Sequence, residues 1–230
     1  LYPEGVSLGS LLKRYGGALP EHQAAEYGYQ LCGLLSTLAE QQPPLVHGSI
    51  NPETIIVNED QMSVALVHLP LFQPEPPPSS SGQVSAGYYA PEQIHGETNL
   101  STDLYGLAVT LHYIVTGYDP RTRLALFHPP ARRLNPAVSP QIEAILARQL
   151  SLSTSQRYTS PLEMQEDLAE LIKSSTDTTD TNMAGREVDP LQISAMQLRD
   201  RSRSVVLLNM GVFAAICVLL LLGLFFATLR

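Results

Sequence analysis

Hydrophobic positions recur at helical spacing through most of the first 173 residues. Ser7–Tyr15 reads as a short helix closed by Gly16-Gly17. Pro20–Gln42 is longer. Ala24, Gly28, Leu31, Leu35 and Leu38 repeat at three and four, Cys32 and Ala39 widen the stripe, and Pro43-Pro44 ends it. The period then changes. A loop from Leu45 runs into Thr54-Ile55-Ile56-Val57, Asn58-Glu59-Asp60 makes a polar turn, and Met62–Val67 is a second apolar run. That pattern predicts a small β-hairpin. Leu104–Val115 is apolar on nearly every face, the mark of a buried helix, with Ser101 as N-cap and Gly117 just past its end. Tyr118–Val138 holds four prolines and no sustained period. Ser139-Pro140 opens a helix through Leu150, and Ser160-Pro161-Leu162-Glu163 opens a last one to about Lys173.

Three stretches fall outside this pattern. Pro70–Gln83 is rich in Pro and Ser and reads as an extended, exposed loop, with Ser79, Ser80 and Ser81 as candidate phosphate acceptors. Ser174–Pro190 is polar, rich in Thr and Asp, and has almost nothing to bury. Val205–Leu229 is apolar apart from Asn209 and Thr228. A helix of that length spans about 37 Å, more than the roughly 30 Å of a bilayer's hydrocarbon core, which predicts a transmembrane helix. Arg199, Arg201 and Arg203 precede it and only Arg230 follows, so the rule that positive flanks stay inside puts the large domain in the cytoplasm. The expected organisation is a domain over 1–173, a polar linker and basic juxtamembrane segment over 174–204, and a span over 205–229.

Composition narrows the function classes. The net charge of −8 over 230 residues offers no basic surface for nucleic acid. The two cysteines, Cys32 and Cys217, have no framework spacing, which suits a reducing compartment.

The most informative stretch is His47-Gly48-Ser49-Ile50-Asn51-Pro52-Glu53-Thr54, followed by Ile55-Ile56-Val57. It resembles the catalytic loop of a protein kinase, His-Arg-Asp-Leu-Lys-Pro-Glu-Asn followed by three aliphatic residues. Further resemblances follow in order. Ala90-Pro91-Glu92 matches the end of an activation segment, and Ser101–Ala108 running on to Thr116-Gly117 matches the buried central helix of the large lobe. Ser155-Gln156-Arg157-Tyr158 matches the entry to its closing helix. The chain therefore resembles the bacterial eukaryotic-like Ser/Thr protein kinases. The fold this implies is mainly α: a kinase-like large lobe carrying the hairpin, then the linker and the span. Leu1–Gly5 resembles the hinge between lobes, and no Gly-rich phosphate loop or strand lysine is present. Either an ATP-binding small lobe lies upstream or the protein has none; the first residue not being Met favours the former.

The resemblance also shows what chemistry is missing. Kinases use an Asp as proton acceptor, an Asn and a second Asp for magnesium, and a Lys near the phosphates. These positions are Ser49, Thr54, His68 and Asn51. A serine hydroxyl is no base near neutral pH, which forfeits about 10²–10⁴-fold. Imidazole is a poor magnesium ligand, and His68 has no second ligand at metal-site spacing. By contrast, the scaffold residues are present. Glu92 is expected to pair with Arg157, Asp103 to hold the loop's backbone, and His47 to pack within it. Ala108 stands where the family's central helix usually has Gly. The reading is a membrane-anchored pseudokinase that works by binding other proteins, with no metal and no cofactor. ATP and magnesium enter only alongside an upstream small lobe. The alternative is a transmembrane Ser/Thr kinase completed by that lobe.

Overall fold

Four helices begin where a side chain satisfies the free amides of the first turn. The computed structural model describes residues 3–68, 86–122 and 126–184. Strand β1 (Val6–Ser7) runs straight into helix α1 (Leu8–Tyr15), where Ser7 Oγ accepts from Ser10 N. Helix α2 (Glu21–Ala39) follows, then strands β2 (Ile55–Asn58) and β3 (Ser63–Leu66). Helix α3 (Leu100–Thr116) is capped by Asn99, whose Oδ1 accepts from Ser101 N at 2.8 Å and Thr102 N at 3.3 Å. Ser101, the cap expected from sequence, sits inside the first turn, because two cap-competent residues lie two positions apart and the earlier one is used. Helix α4 (Ala131–Leu134) is a single turn, and α5 (Pro140–Gln149) is capped by Ser139. Helix α6 (Pro161–Ala184) has Ser160 Oγ accepting from Glu163 N.

Helix α3 is the axis of the lobe. Leu104, Leu107, Ala108, Leu111 and Ile114 have no exposure, and they pack between Leu31 and Leu35 of α2 and Ile142 and Leu146 of α5. Each fully buried aliphatic side chain of this kind contributes about 1.5–3 kcal/mol relative to exposure. Gly117 ends α3 with φ of 72°.

Two elements differ from expectation. The sheet has three antiparallel strands, in the order β1-β2-β3, rather than a hairpin alone. Val6 pairs with Val57 and Ser7 with Ile56, while Ile55–Asn58 pairs with Leu66–Ser63. Two residues are too short to show a period, so β1 leaves no trace in the hydrophobic pattern. Helix α6 runs past Lys173 to Ala184. Ser174 and Ser175 both donate their hydroxyls to Leu171 O, so polar side chains bond back to the helix, and the first Gly or Pro after Pro161 is Gly185. The chain divides into two units, Leu1–Asp177 and Thr178–Arg230. Among the described residues no helix is long and apolar enough to cross a membrane, and the expected span at 205–229 lies outside them, as does the loop at 70–83.

Candidate functional site

The loop from His47 to Thr54 crosses the N-terminal half of α3 between α2 and the sheet. Asp103, on the first turn of α3 and 1% exposed, fixes its entry. Its carboxylate accepts from His47 N at 2.7 Å and Gly48 N at 2.6 Å. Gly48 takes φ of 72°, which turns successive amides toward one carboxylate and suits glycine best. Burial pushes the Asp103 carboxyl up to about 6, against the two amide bonds that favour its charged form. His47 is buried beside it. Its Nε2 lies 3.0 Å from Val67 O and its Nδ1 accepts from Ser49 N at 3.4 Å, so the proton sits on Nε2. Burial lowers the His47 pKa, which keeps the ring neutral at pH 7.

The helix comes close enough to touch this loop only because residue 106 is glycine. A Cβ there would lie 2.9 Å from Ile50 O and 3.5 Å from Tyr88 O. A second tie comes from Gln93, in the 3₁₀ turn Pro91–His95. It donates to Gly48 O at 2.9 Å and accepts from Ala90 N at 2.9 Å. Nothing in the sequence singles out Gln93, whereas a glycine inside a buried apolar helix is a legible sign of close approach.

Of the four loop and hairpin positions singled out in the sequence, Asn51 and Thr54 carry side chains that bond inward. Asn51 Nδ2 donates to Ser49 O at 2.8 Å, and Asn51 Oδ1 accepts from Glu53 N at 2.9 Å. The Thr54 hydroxyl lies 3.0 Å from Asn51 O and 3.2 Å from Ser49 O, and it accepts from Asn51 N at 3.1 Å. Asn51 and Thr54 are buried. Glu53, the loop's carboxylate, turns to the start of α1, where Ser7 Oγ donates to it at 2.9 Å. His68 is exposed, follows β3, and takes φ of 65°. Its charge would oppose that of His47, but no hydrogen bond joins it to Ser49 or Thr54. A magnesium ion wants hard, preferably anionic oxygens. Ser49, Thr54 and His68 supply a neutral hydroxyl, an engaged hydroxyl and an imidazole, and so do not fit one. Among the described residues no three His, Cys, Asp or Glu side chains converge on a metal position.

A second set of charges, Glu92 and Arg157, is also fully used. Arg157, with its side chain 0% exposed, donates from Nη1 to Glu92 Oε1 at 2.7 Å and from Nη2 to Glu92 Oε2 at 3.1 Å. Its Nε donates to Ser151 O at 2.8 Å, Nη1 also reaches Ser101 Oγ at 3.3 Å, and Nη2 reaches Leu152 O at 3.5 Å. The guanidinium lies 4.8 Å from the Tyr105 ring centre. One side chain thus joins the turn at 91–95, the start of α3 and the 151–152 loop. The parts played by Ser101 and Tyr105 were not visible in the sequence, because nothing in their spacing points to Arg157.

A helical lobe around a buried axis, with its loop pinned by a helix Asp and a bidentate Glu–Arg pair, defines a protein-kinase-like fold. Solved kinase domains share it. The PknI kinase domain of Mycobacterium tuberculosis aligns with a TM-score of 0.59 at 21% identity, covering 74% of this chain and 63% of that one. A mutant form of the same domain aligns at a TM-score of 0.57. No family model matches the chain. Among curated proteins, the serine/threonine-protein kinase PknB of Mycolicibacterium smegmatis is 26% identical over 185 residues, covering 73% of this chain and 29% of that protein. PknB of Mycobacterium tuberculosis is 25% identical over 238 residues, covering 89% and 37%. PknA of a Nostoc species is 26% identical over 177 residues, covering 72% and 31%. This chain therefore spans about a third of the length of the curated relatives it matches. In sequence it is similar to bacterial Ser/Thr protein kinases, and in fold to a bacterial kinase domain.

Proposed function

We propose that the chain is a catalytically silent, kinase-like module that acts by binding other proteins. The observation that carries this reading is the inward bonding of Asn51 and Thr54 beside Ser49 and His68, next to scaffold charges that are fully paired. Without a carboxylate at residue 49, the substrate hydroxyl has no general base there, and the loop offers no anionic ligand at residue 54 or 68. The stretch 205–229 tethers the module to a membrane, with Arg199, Arg201 and Arg203 holding it on the cytoplasmic side. The purified chain, together with any upstream lobe, is expected to transfer no labelled phosphate to itself or to a generic basic substrate. Transfer that Ser49→Ala abolishes would overturn the proposal. Reporters fused to residues 1 and 230 test the orientation, and the reverse activity pattern would invert it.

A second reading is favoured by the similarity to serine/threonine-protein kinases of which this chain covers only a small share. In it, an upstream small lobe completes an ATP site and the protein is a transmembrane kinase. Thermal melts of the chain joined to any upstream lobe separate the two. A shift of several degrees with millimolar Mg-ATP, lost on adding EDTA, supports the second reading, and no shift supports the first.

A further inference from the structure

We infer that the pocket between α3, α4 and α5 is the docking site for a short acidic segment of a partner protein, seated by a bulky apolar side chain. This rests on the protein-binding reading above and names its surface. The pocket encloses about 560 Å³, enough for one or two large side chains. Leu146 and Leu150 floor it, and Ala144 and Ala147 leave its α5 wall low and open. Its rim is apolar and solvent-facing: Leu152 lines it at 66% exposure, and Phe127, between the lining residues Leu126 and His128, is 55% exposed. Exposed apolar side chains gathered around a concavity mark an interaction site more often than single ones do.

Charge selects the partner. Arg132 and Arg133 follow the lining residue Ala131, are exposed, and form no salt bridge among the described residues. Glu143 is the carboxylate on the pocket wall, and it is engaged by Arg132 N at 2.9 Å. On a chain of net charge −8, an unmatched arginine pair beside an apolar pocket is complementary to carboxylates, not to a basic peptide. His112 and His128 also line the pocket, and burial holds both pKa values low, so neither adds charge at pH 7.

The test uses the full 230-residue chain in detergent micelles, on which peptides of about twelve residues are selected from a random displayed library. A selected sequence is then synthesised with a fluorophore for binding by polarisation. We expect Asp or Glu flanking Leu, Phe or Trp. We also expect tenfold or weaker binding by the Arg132→Glu/Arg133→Glu chain and none by Ala147→Trp, which fills the mouth. All three substitutions are at exposed positions, so the melting temperature should hold. A peptide with its acids changed to Lys should bind the charge-reversed chain and not the parent. Selection of basic peptides, selection of none, or binding indifferent to both variants overturns the inference. So does an absence of peptide binding together with Arg132- and Arg133-dependent sedimentation on phosphatidylglycerol vesicles, which would assign the surface to lipid. Phosphate transfer is measured separately. A chain that transfers phosphate yet binds the peptides sinks the silent reading and leaves the surface standing, whereas a silent chain that binds none loses only the surface.

Discussion

The loop at 49–54 and the charges at Asp103 and Arg157 lie close together and behave in opposite ways. In the loop, Asn51 and Thr54 bond to backbone within five residues of themselves. Asp103 and Arg157 reach across 55 and 65 residues to hold separate segments together. Catalysis and scaffold make separable demands on a kinase-like lobe. A carboxylate that activates substrate must face solvent and stay free, and replacing it removes no contact of the fold. A charge that joins segments is buried, and its loss leaves a partner without compensation. The first kind can change at small cost in stability, and the second cannot.

The largest effect should come from breaking the second kind. Arg157→Ala leaves Glu92 without its cation, and Ser151 O and Leu152 O without a donor. Removing one partner of a buried pair costs about 3–5 kcal/mol. Urea melts of the parent and variant measure it. A loss under about 1 kcal/mol would place the pair among exposed ones and erase the contrast. Replacing both partners with apolar residues, Glu92→Leu with Arg157→Met, should recover part of the loss.

Asp103 sharpens the comparison through pH. Its carboxyl titrates near 6 in the folded chain and near 3.9 in the unfolded one, so the folded state holds this proton more tightly. The stability it contributes is full below about pH 4 and is lost as pH rises through about 6, up to about 3 kcal/mol in all. His47, His112 and His128 act in the opposite sense, because burial lowers their pKa values and they lose stability as pH falls. The informative quantity is therefore the parent's stability minus that of Asp103→Asn. That difference should fall from pH 4 to pH 7, and a difference that rises would mean the two amide bonds outweigh burial.

How much of this was legible depends on how local the cause is. The helices α1, α2, α3, α5 and α6 follow from apolar period, and all of these but α2 also from a first-turn acceptor, because both signals are written locally. Strand β1 was not, being two residues long and defined by pairing with Val57 and Ile56. Motif order could nominate Asp103, Glu92 and Arg157, but not Ser101 or Tyr105 beside the guanidinium, nor Gln93 beneath the loop. Those contacts come from the crossing of distant segments. The pocket at α5 was equally invisible, since Tyr118–Val138 shows no period to read.

Gly106 tests the contact between the two regions directly. Gly106→Ala places a methyl 2.9 Å from the Ile50 carbonyl, a backbone atom that cannot rotate away. Overpacking of this kind costs about 1–3 kcal/mol. Gains in helix propensity, about 0.5–1 kcal/mol, offset part of it, so the net loss should be near 1 kcal/mol. A stabilised variant would mean that the loop yields to the helix.

The smallest effects should fall on residues 49 and 68. Among the described residues no hydrogen bond uses the Ser49 hydroxyl, while its carbonyl serves Asn51 and Thr54 whatever the side chain is. Ser49→Ala should therefore stay within about 0.5 kcal/mol of the parent, as surface changes without a partner do. His68 is exposed and holds a left-handed backbone, with φ of 65°, that costs a non-glycine residue about 1–2 kcal/mol. His68→Gly relieves that strain and frees the unfolded chain by a similar amount, so it should be neutral or stabilising by up to about 1 kcal/mol. Urea melts of the two variants against Arg157→Ala measure the contrast on one scale. A loss above about 2 kcal/mol at either position would show that these residues hold the fold, and the contrast between the 49–54 loop and the buried charges would then fail.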